Sequence, residues 1–212
     1  MTGTLITFEG IDFCGKSVQI EKLVTRLQAH QIPYTLLREP GGTVIAEKIR
    51  DVLLTHETEL MSPITEYLLY SSARTQLVRE KIIPALDEGL LVICDRYYDS
   101  STAYQGYGRE IDLAIIQQIN YLATNGIKPD LTFLIDIDLN EMEMRKMRSS
   151  HKLDRMENEK RSFFEKVRDG YLKIAAQESE RFYVIDGKRT IHLIADEIWE
   201  QVRKILFTEI NQ

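Results

Sequence analysis

Gly10-Ile11-Asp12-Phe13-Cys14-Gly15-Lys16-Ser17 is the stretch on which the fold turns. It matches the phosphate-binding pattern G-x-x-x-x-G-K-[ST] in full. Immediately upstream, Thr4-Leu5-Ile6-Thr7-Phe8 is short and β-rich, which predicts a buried strand. Downstream, Val18, Ile20, Leu23, Val24 and Leu27 recur at helical spacing. A chance glycine turn before Lys-Ser would not need both flanks. In the sequence strand, glycine loop, helix, successive backbone N–H groups curl into a nest at a helix N-terminus, where the dipole favours an anion. Lys16 adds a cation for the β/γ-phosphates, and the Ser17 hydroxyl can ligate Mg²⁺.

The chain has 212 residues, a length that fits one domain with a full core. Its net charge of −6 argues against a general nucleic-acid binder but leaves room for a local basic pocket. Cys14 and Cys94 are the only cysteines and lie far apart, so neither a disulfide framework nor a cysteine metal site is expected. There is no apolar run of membrane-spanning length and no signal-peptide pattern. A cytoplasmic protein is expected.

Further along, Ile32 to Leu37 reads as a second strand with Pro33 at its start. It runs into Arg38-Glu39-Pro40-Gly41-Gly42-Thr43, a tight loop at a strand's C-terminal end, where open α/β sheets bind ligands. Arg38 is either an anion ligand there or a solvated turn residue. Val44 to Leu54 is helical by periodicity. Ser62-Pro63 starts a longer helix, which Pro84 should kink or end and Gly89 should close. Within it, Tyr70 and Arg74 share a face. They form either an aromatic packed under an arginine stem or a stacking platform beside a hydrogen-bonding fork.

Leu90 to Cys94 is a continuous apolar run, as in a buried parallel strand, and ends in Asp95-Arg96-Tyr97. A carboxylate at such a tip suits Mg²⁺ or its water, and Arg96 could clamp a phosphate. Leu113 to Leu122 is a helix, Leu131 to Asp136 a strand, Arg181 to Gly187 a fifth strand with its exit, and Ile191 to Ile205 the last helix. Asp136 reads as structural. Strands alternating with helices imply an α/β fold, a parallel sheet covered on both faces.

Arg145, Lys146, Arg148, Lys152 and Arg155 concentrate positive charge around Ser149-Ser150. They form either a solvated helix face or a basic flap closing over phosphates; the upstream P-loop favours the flap. A mobile lid over 145–157 within a single domain spanning 1–212 is therefore expected. None of His30, His56, His151 and His192 has metal-ligand spacing with another; His151 alone sits in the basic segment.

Phe8-Glu9-Gly10-Ile11-Asp12, the block from Arg38 to Thr43, Asp95-Arg96-Tyr97 with Ser101 to Gly106, and Asp154-Arg155-Met156-Glu157 stand together in order and spacing. In these blocks the chain resembles the thymidylate kinase family of P-loop nucleoside monophosphate kinases, over nearly its whole length. The resemblance implies transfer of the ATP γ-phosphoryl group to dTMP with Mg²⁺, a three-layer P-loop NTPase-type fold with five parallel strands in order 2-3-1-4-5, and a homodimer. It implies that Gly10 to Val18, including Lys16 and Ser17, holds ATP, with Arg145 near the adenine and Asp95 supporting Mg²⁺. Arg38 and Arg96 would grip the dTMP phosphate beside Glu39 and Pro40. Tyr70 would stack on thymine, where the family usually has Phe. Arg74 and Gln105 would read the polar edge of the base, with Ser101 nearby. Tyr104 would crowd the 2′ position of the sugar, and Asp12 or Glu39 would face the 3′-hydroxyl or Mg²⁺.

Two positions depart from the family pattern. Phe13 stands where relatives carry Gly or a catalytic Arg. Because Arg is tolerated there, the backbone need not have positive φ and Phe is sterically possible, but Phe supplies no cation. Arginines of the lid should then carry that charge, with Arg148 first among Arg145, Arg148 and Arg155. Val18, where a second hydroxyl is common, should only pack. Cys14 is either a reactive thiol at a helix N-terminus or a small loop residue. Related activities on dUMP or deoxynucleosides, and a non-catalytic nucleotide binder disabled by Phe13, remain alternatives. A switch GTPase does not, since no Asn-Lys-x-Asp motif follows the later strands.

Overall fold

The computed structural model describes residues 3–55, 60–150 and 152–207. Five strands form one sheet: β1 (Thr4–Glu9), β2 (Tyr34–Arg38), β3 (Leu91–Asp95), β4 (Leu131–Asp136) and β5 (Phe182–Asp186). All pairings are parallel and the order is β2-β3-β1-β4-β5, as the resemblance implied. Phe8 is level with Asp95, and Asp95 with Arg38, so three strands deliver their exits to one edge.

Alternation along β1 and β3 sends side chains to two separate cores. Ile6, Phe8 and Ile93 join Ile20, Leu27, Phe133, Phe164 and Ile198 on one face. Leu5, Val92 and Cys94 join Leu77, Val78, Ile82 and Tyr97 on the other. Burial on both faces explains why these strands read as continuous apolar runs. At the centre, the buried hydroxyls of Thr7 and Thr132 bond to each other at 2.8 Å.

The core of Ile6 and Phe8 takes buried residues from α1 (Lys16–Ala29), α8 (Arg161–Gln177) and α9 (Ile191–Phe207), and Leu139 and Met142 join it. The other helices are α2 (Val44–Leu54), α3 (Pro63–Leu77), α4 (Ile83–Asp87), α5 (Tyr98–Ser101), α6 (Leu113–Thr124) and α7 (Leu139–Arg148). Ser62 caps α3 as expected, accepting from the Thr65 N–H at 3.2 Å, with Pro63 in the first turn.

Pro84 does not end its helix. The chain runs from α3 into α4 through a π turn at Val78–Ile82, where the Ile83 N–H reaches back to the Val78 carbonyl. Pro84 has no N–H to donate and its ring crowds the carbonyl four residues back; the widened turn accommodates both. The stop comes at Gly89, with φ 75°. There Gly89 bonds to Leu86 and Leu90 to Ala85, the paired bonds of a Schellman ending.

The stretch after β3 was not legible as helix. It forms α5 and then a second π segment, Thr102–Gly108, whose wide turns project Tyr104 and Gln105 toward the sheet edge.

Candidate active site

The first loop is shaped by backbone that only glycine holds easily. Gly10 has φ 138°, and a Cβ there would lie 2.4 Å from the Ile135 carbonyl. The loop thus sits against β4. Gly15 has φ 101° and leads directly into α1. Lys16 is buried, its Nζ donating to the Gly10 and Ile11 carbonyls at 2.9 and 3.1 Å. Ser17 follows, exposed.

Phe13 corrects one expectation: its φ is 63°, in the left-handed region. A bulky side chain there costs on the order of 1–2 kcal/mol. Its ring packs on the main core, and its carbonyl accepts from Arg145 Nη1 at 3.4 Å. Val18 corrects another: at 39% exposure it faces solvent rather than packing. Cys14 is buried, its Sγ 3.5 Å from Lys16 Nζ, which favours a small loop residue over an accessible thiol.

Beside the loop, the strand exits line a cleft that opens to solvent. Its walls bring together every substrate contact expected from the sequence. The β2 exit supplies Arg38, Glu39 and Pro40; α3 supplies Tyr70 and Arg74. The β3 exit supplies Asp95 and Arg96, the helical stretch after it Ser101, Tyr104 and Gln105, and the loop Asp12. Arg50, Leu54, Ser100, Asp154, Met156 and Glu157 also line it and were not singled out as ligands. The last three lie in a block read for its charge and for the family resemblance, with no ligand role assigned to them.

Arg96 ties the two halves of the site together. It lies just beyond β3 with φ 70°, its N–H bonded to the Phe8 carbonyl. Its guanidinium donates to Asp12 (2.6 Å), the Gly10 carbonyl (3.0 Å), Ser100 (3.2 Å), Tyr171 (3.2 Å) and Tyr104 (3.3 Å). Tyr104 in turn donates to the other Asp12 oxygen at 2.9 Å. Beneath them lies Glu9, fully buried, which accepts from the Tyr97 N–H, Ser100 and Tyr171 at 2.7, 2.6 and 2.8 Å. Neither Glu9 nor Tyr171 was singled out from the sequence. A carboxylate and a helical tyrosine that converge only in three dimensions leave no spacing signal.

Arg74 is 2% exposed. Its Nε donates to Glu39 at 2.7 Å and its Nη2 to Ser101 and the Tyr97 carbonyl. Arg74 Nη1 and Glu39 Oε1 are buried with no hydrogen-bond partner. Both belong to residues that line the cleft, where a buried polar atom without a partner calls for an explanation. Arg38 grips Glu47 at 2.9 and 3.0 Å while lining the cleft, and is half exposed.

Burial pushes the Glu39 carboxyl up to about 7 against the pull of Arg74. Burial, reinforced by the charge of Asp99, pushes Glu9 up to about 7 from an ordinary 4.5. Folded, both carboxyls keep protons that the unfolded chain releases near 4.5. The native state therefore binds more protons between those values, and their contribution to stability is lost as pH rises through about 7. Glu9→Gln is expected to flatten the fall of Tm between pH 5 and 7, read by scanning calorimetry; an unchanged slope would show that Glu9 is ionised throughout.

Arg145 lies on the loop, donating to the Cys14 carbonyl at 2.9 Å and the Gly187 carbonyl at 2.8 Å. Arg148 is exposed on the last turn of α7. Arg155 is not available as a flap cation: it is buried, held by the Leu53 carbonyl (2.8 Å) and Glu66 (2.7 Å). Asp136 makes a bidentate pair with Arg168 at 2.7 Å, in keeping with a structural role. His30 is an exposed residue at the end of α1, and His192 is exposed. His56 and His151 lie outside the described residues.

The family model for thymidylate kinase matches residues 8–198 of the chain. The chain belongs to the thymidylate kinase family. The thymidylate kinase of Thermoanaerobacter sp. strain X514 is 45% identical over 206 residues, covering 97% of this chain and 100% of that one. That of Chlorobium limicola is 49% identical over 191 residues, covering 86% and 87%. The crystal structure of thymidylate kinase from Ehrlichia chaffeensis superposes with a TM-score of 0.76 at 32% identity, over 96% of this chain and 99% of that one. Membership in the thymidylate kinase family makes the chain a nucleotide-using phosphotransferase. Among the described residues no helix is long and apolar enough to cross a membrane, and no cluster of three or more His, Cys, Asp or Glu could hold a metal. A kinase Mg²⁺ needs fewer protein ligands, because substrate phosphates and water complete its shell.

Proposed function

We propose that the protein phosphorylates dTMP with ATP and Mg²⁺, giving dTDP and ADP. The observation that carries this reading is the cleft wall on which Arg74 Nη1 is buried without a partner beside Tyr70 and Gln105, adjacent to the phosphate loop. Tyr70 offers a face for a pyrimidine to stack on, and Arg74 a donor for its 4-oxo group. Tyr104, held by Asp12 and Arg96, closes the sugar side and disfavours a 2′-hydroxyl. Arg38 and Arg96 hold the 5′-phosphate with Glu39 and Pro40 alongside.

Gly10 to Val18 cradle the ATP phosphates, with Lys16 as the loop's cation and Arg145 toward the adenine. Ser17 and Asp95 offer the hard hydroxyl and carboxylate oxygens that Mg²⁺ prefers. When bound, Mg²⁺ neutralises charge on the β- and γ-phosphates. A dTMP phosphate oxygen attacks the γ-phosphorus in line and ADP leaves. That oxygen is already anionic near neutral pH, so the residues have to position and neutralise rather than remove a proton.

Residues 145–157 form the lid in this reading, and Arg148 brings positive charge to the transferring group. Arg148→Ala is expected to lower kcat more than tenfold with little change in either KM. An unchanged kcat in steady-state kinetics would remove Arg148 from that role. The protein is read as a cytoplasmic homodimer with no nucleic-acid or membrane partner. Exposed Ile45 and Val52 on α2 with Ile64 and Leu68 on α3 offer an apolar face for the second copy.

The test is Mg²⁺-dependent ADP release with dTMP, dUMP, the ribose analogue of dTMP, and thymidine as acceptors. Greatest turnover with dTMP supports the reading. Greater turnover with another acceptor overturns the base and sugar assignments. ATP binding without turnover favours a non-catalytic protein disabled at Phe13.

A further inference from the structure

Glu66 belongs to α3 and is 1% exposed, yet both its oxygens are filled. Oε1 accepts from Gln105 Nε2 at 2.9 Å and Arg109 Nε at 3.1 Å. Oε2 accepts from Arg109 Nη2 at 2.9 Å and Arg155 Nη1 at 2.7 Å. Burial works to raise this carboxyl, but the hydrogen bonds and charges of Arg109, Gln105 and Arg155 outweigh it and hold it below its ordinary value. It is therefore ionised and accepts only.

That fixes something the shape of an amide leaves open. A glutamine side chain presents a donor at one end and an acceptor at the other, and the two ends are nearly the same size. Facing a carboxylate, Gln105 must turn its NH₂ toward Glu66. Its Oε1 is then left for whatever fills the cleft, which Gln105 lines. Arg74 Nη1, the unpartnered donor on the same wall, completes a pattern of one acceptor and one donor. That pattern fits the N3–H and 4-oxo groups of thymine or uracil. Cytosine presents the reverse, a bare N3 and a 4-amino group.

We propose that Glu66 is the positioning residue for base discrimination, setting the Gln105 amide so that the cleft selects a 4-oxo over a 4-aminopyrimidine nucleotide. Glu66 touches no substrate itself. The proposal rests on the nucleotide reading above for the identity of the ligand, and on the hydrogen bonds for the orientation.

Replacing Glu66 with glutamine nearly preserves shape and removes the acceptor-only constraint. The two arginine donors on the Oε2 side would keep the new amide's oxygen, leaving its NH₂ facing Gln105. Gln105 then turns over and offers its own NH₂ to the cleft. Dissociation constants of dTMP, dUMP and dCMP are measured by calorimetry for the wild-type protein and Glu66→Gln. The preference for dTMP over dCMP is expected to fall at least about tenfold, the scale of one misdirected buried hydrogen bond. The preference for dTMP over dUMP, which rests on the methyl group, should not change. An unaltered dTMP-to-dCMP ratio overturns the proposal, as does an equal loss of both preferences, which indicates general damage.

A measurement on the wild-type protein covers the case of a variant that does not fold. The ¹⁵N-labelled Gln105 side-chain amide should exchange slowly before ligand is added and shift little when dTMP binds. Fast exchange that becomes protected only with dTMP would mean that the NH₂ faces the cleft, and would overturn the proposal. Turnover is assayed separately. Binding preference without turnover removes the kinase reading and leaves the orientation intact; turnover of dTMP with an unchanged ratio does the reverse.

Discussion

Lys16→Ala is expected to lower kcat/KM about 1000-fold, with a modest change in Tm. The ammonium is buried at the start of α1 and donates to the carbonyls of Gly10 and Ile11. It is held within the loop by these carbonyls. Charge built up on the transferring group in a water-poor loop meets a fixed positive charge, and removing one such partner costs two to three orders of magnitude. Phe13 sharpens the expectation, because it offers no second cation in the loop. Lys16→Arg should not restore the rate: the space beneath two carbonyls is shaped for a point charge, and a planar fork does not fit it. Steady-state kinetics at saturating Mg²⁺ test this; a loss under tenfold would mean that Lys16 stays on its own loop during the reaction.

Arg96→Ala should be as severe, about 1000-fold in kcat/KM for dTMP. Two effects combine. On the proposed reading the phosphate loses a cationic partner, and Asp12 and Tyr104 lose the guanidinium that holds them in register at 2.6 and 3.3 Å. The backbone supplies a separable check. Arg96 holds φ 70°, where a side chain is strained and glycine is not. Arg96→Gly should be no more active than Arg96→Ala, yet at least as stable. At an ordinary position glycine would be the less stable by about 0.5–1 kcal/mol. Equal losses of activity with the reverse order of Tm would show that the strain is not at this residue.

What the sequence revealed and what it concealed divide along a physical line. The strand–loop–helix unit at Thr4–Ala29 is local, and its motif, flanks and periodicity all lie within one window. The positions of Arg38, Asp95 and Arg96 at strand exits were legible for the same reason: they end or follow runs whose apolar character marks where a buried strand stops. Phe13 misled, since tolerance of a residue type says little about φ when loop geometry is imposed by Gly10 and Gly15 on either side. At Pro84 a kink or an end was expected and the helix instead continues through a π turn, a backbone adjustment with no composition of its own. Arg155 shows the limit of charge as a guide. A cluster of cations does not distinguish a guanidinium free to meet phosphate from one locked to Glu66, and Glu66 lies 89 residues away in the chain. Glu9, Tyr171 and Glu66 were missed because their partners are contributed by distant elements.

The level strand exits give the molecule a working end and a handle. On the proposed reading, nucleotides enter where Arg38, Phe8 and Asp95 stand side by side. The opposite edge, where Thr4, Leu91 and Leu131 begin their strands, stays away from that mouth. Lys128, exposed in the turn that enters β4, hangs from this far edge. A fusion or surface tether anchored there would leave the cleft facing outward.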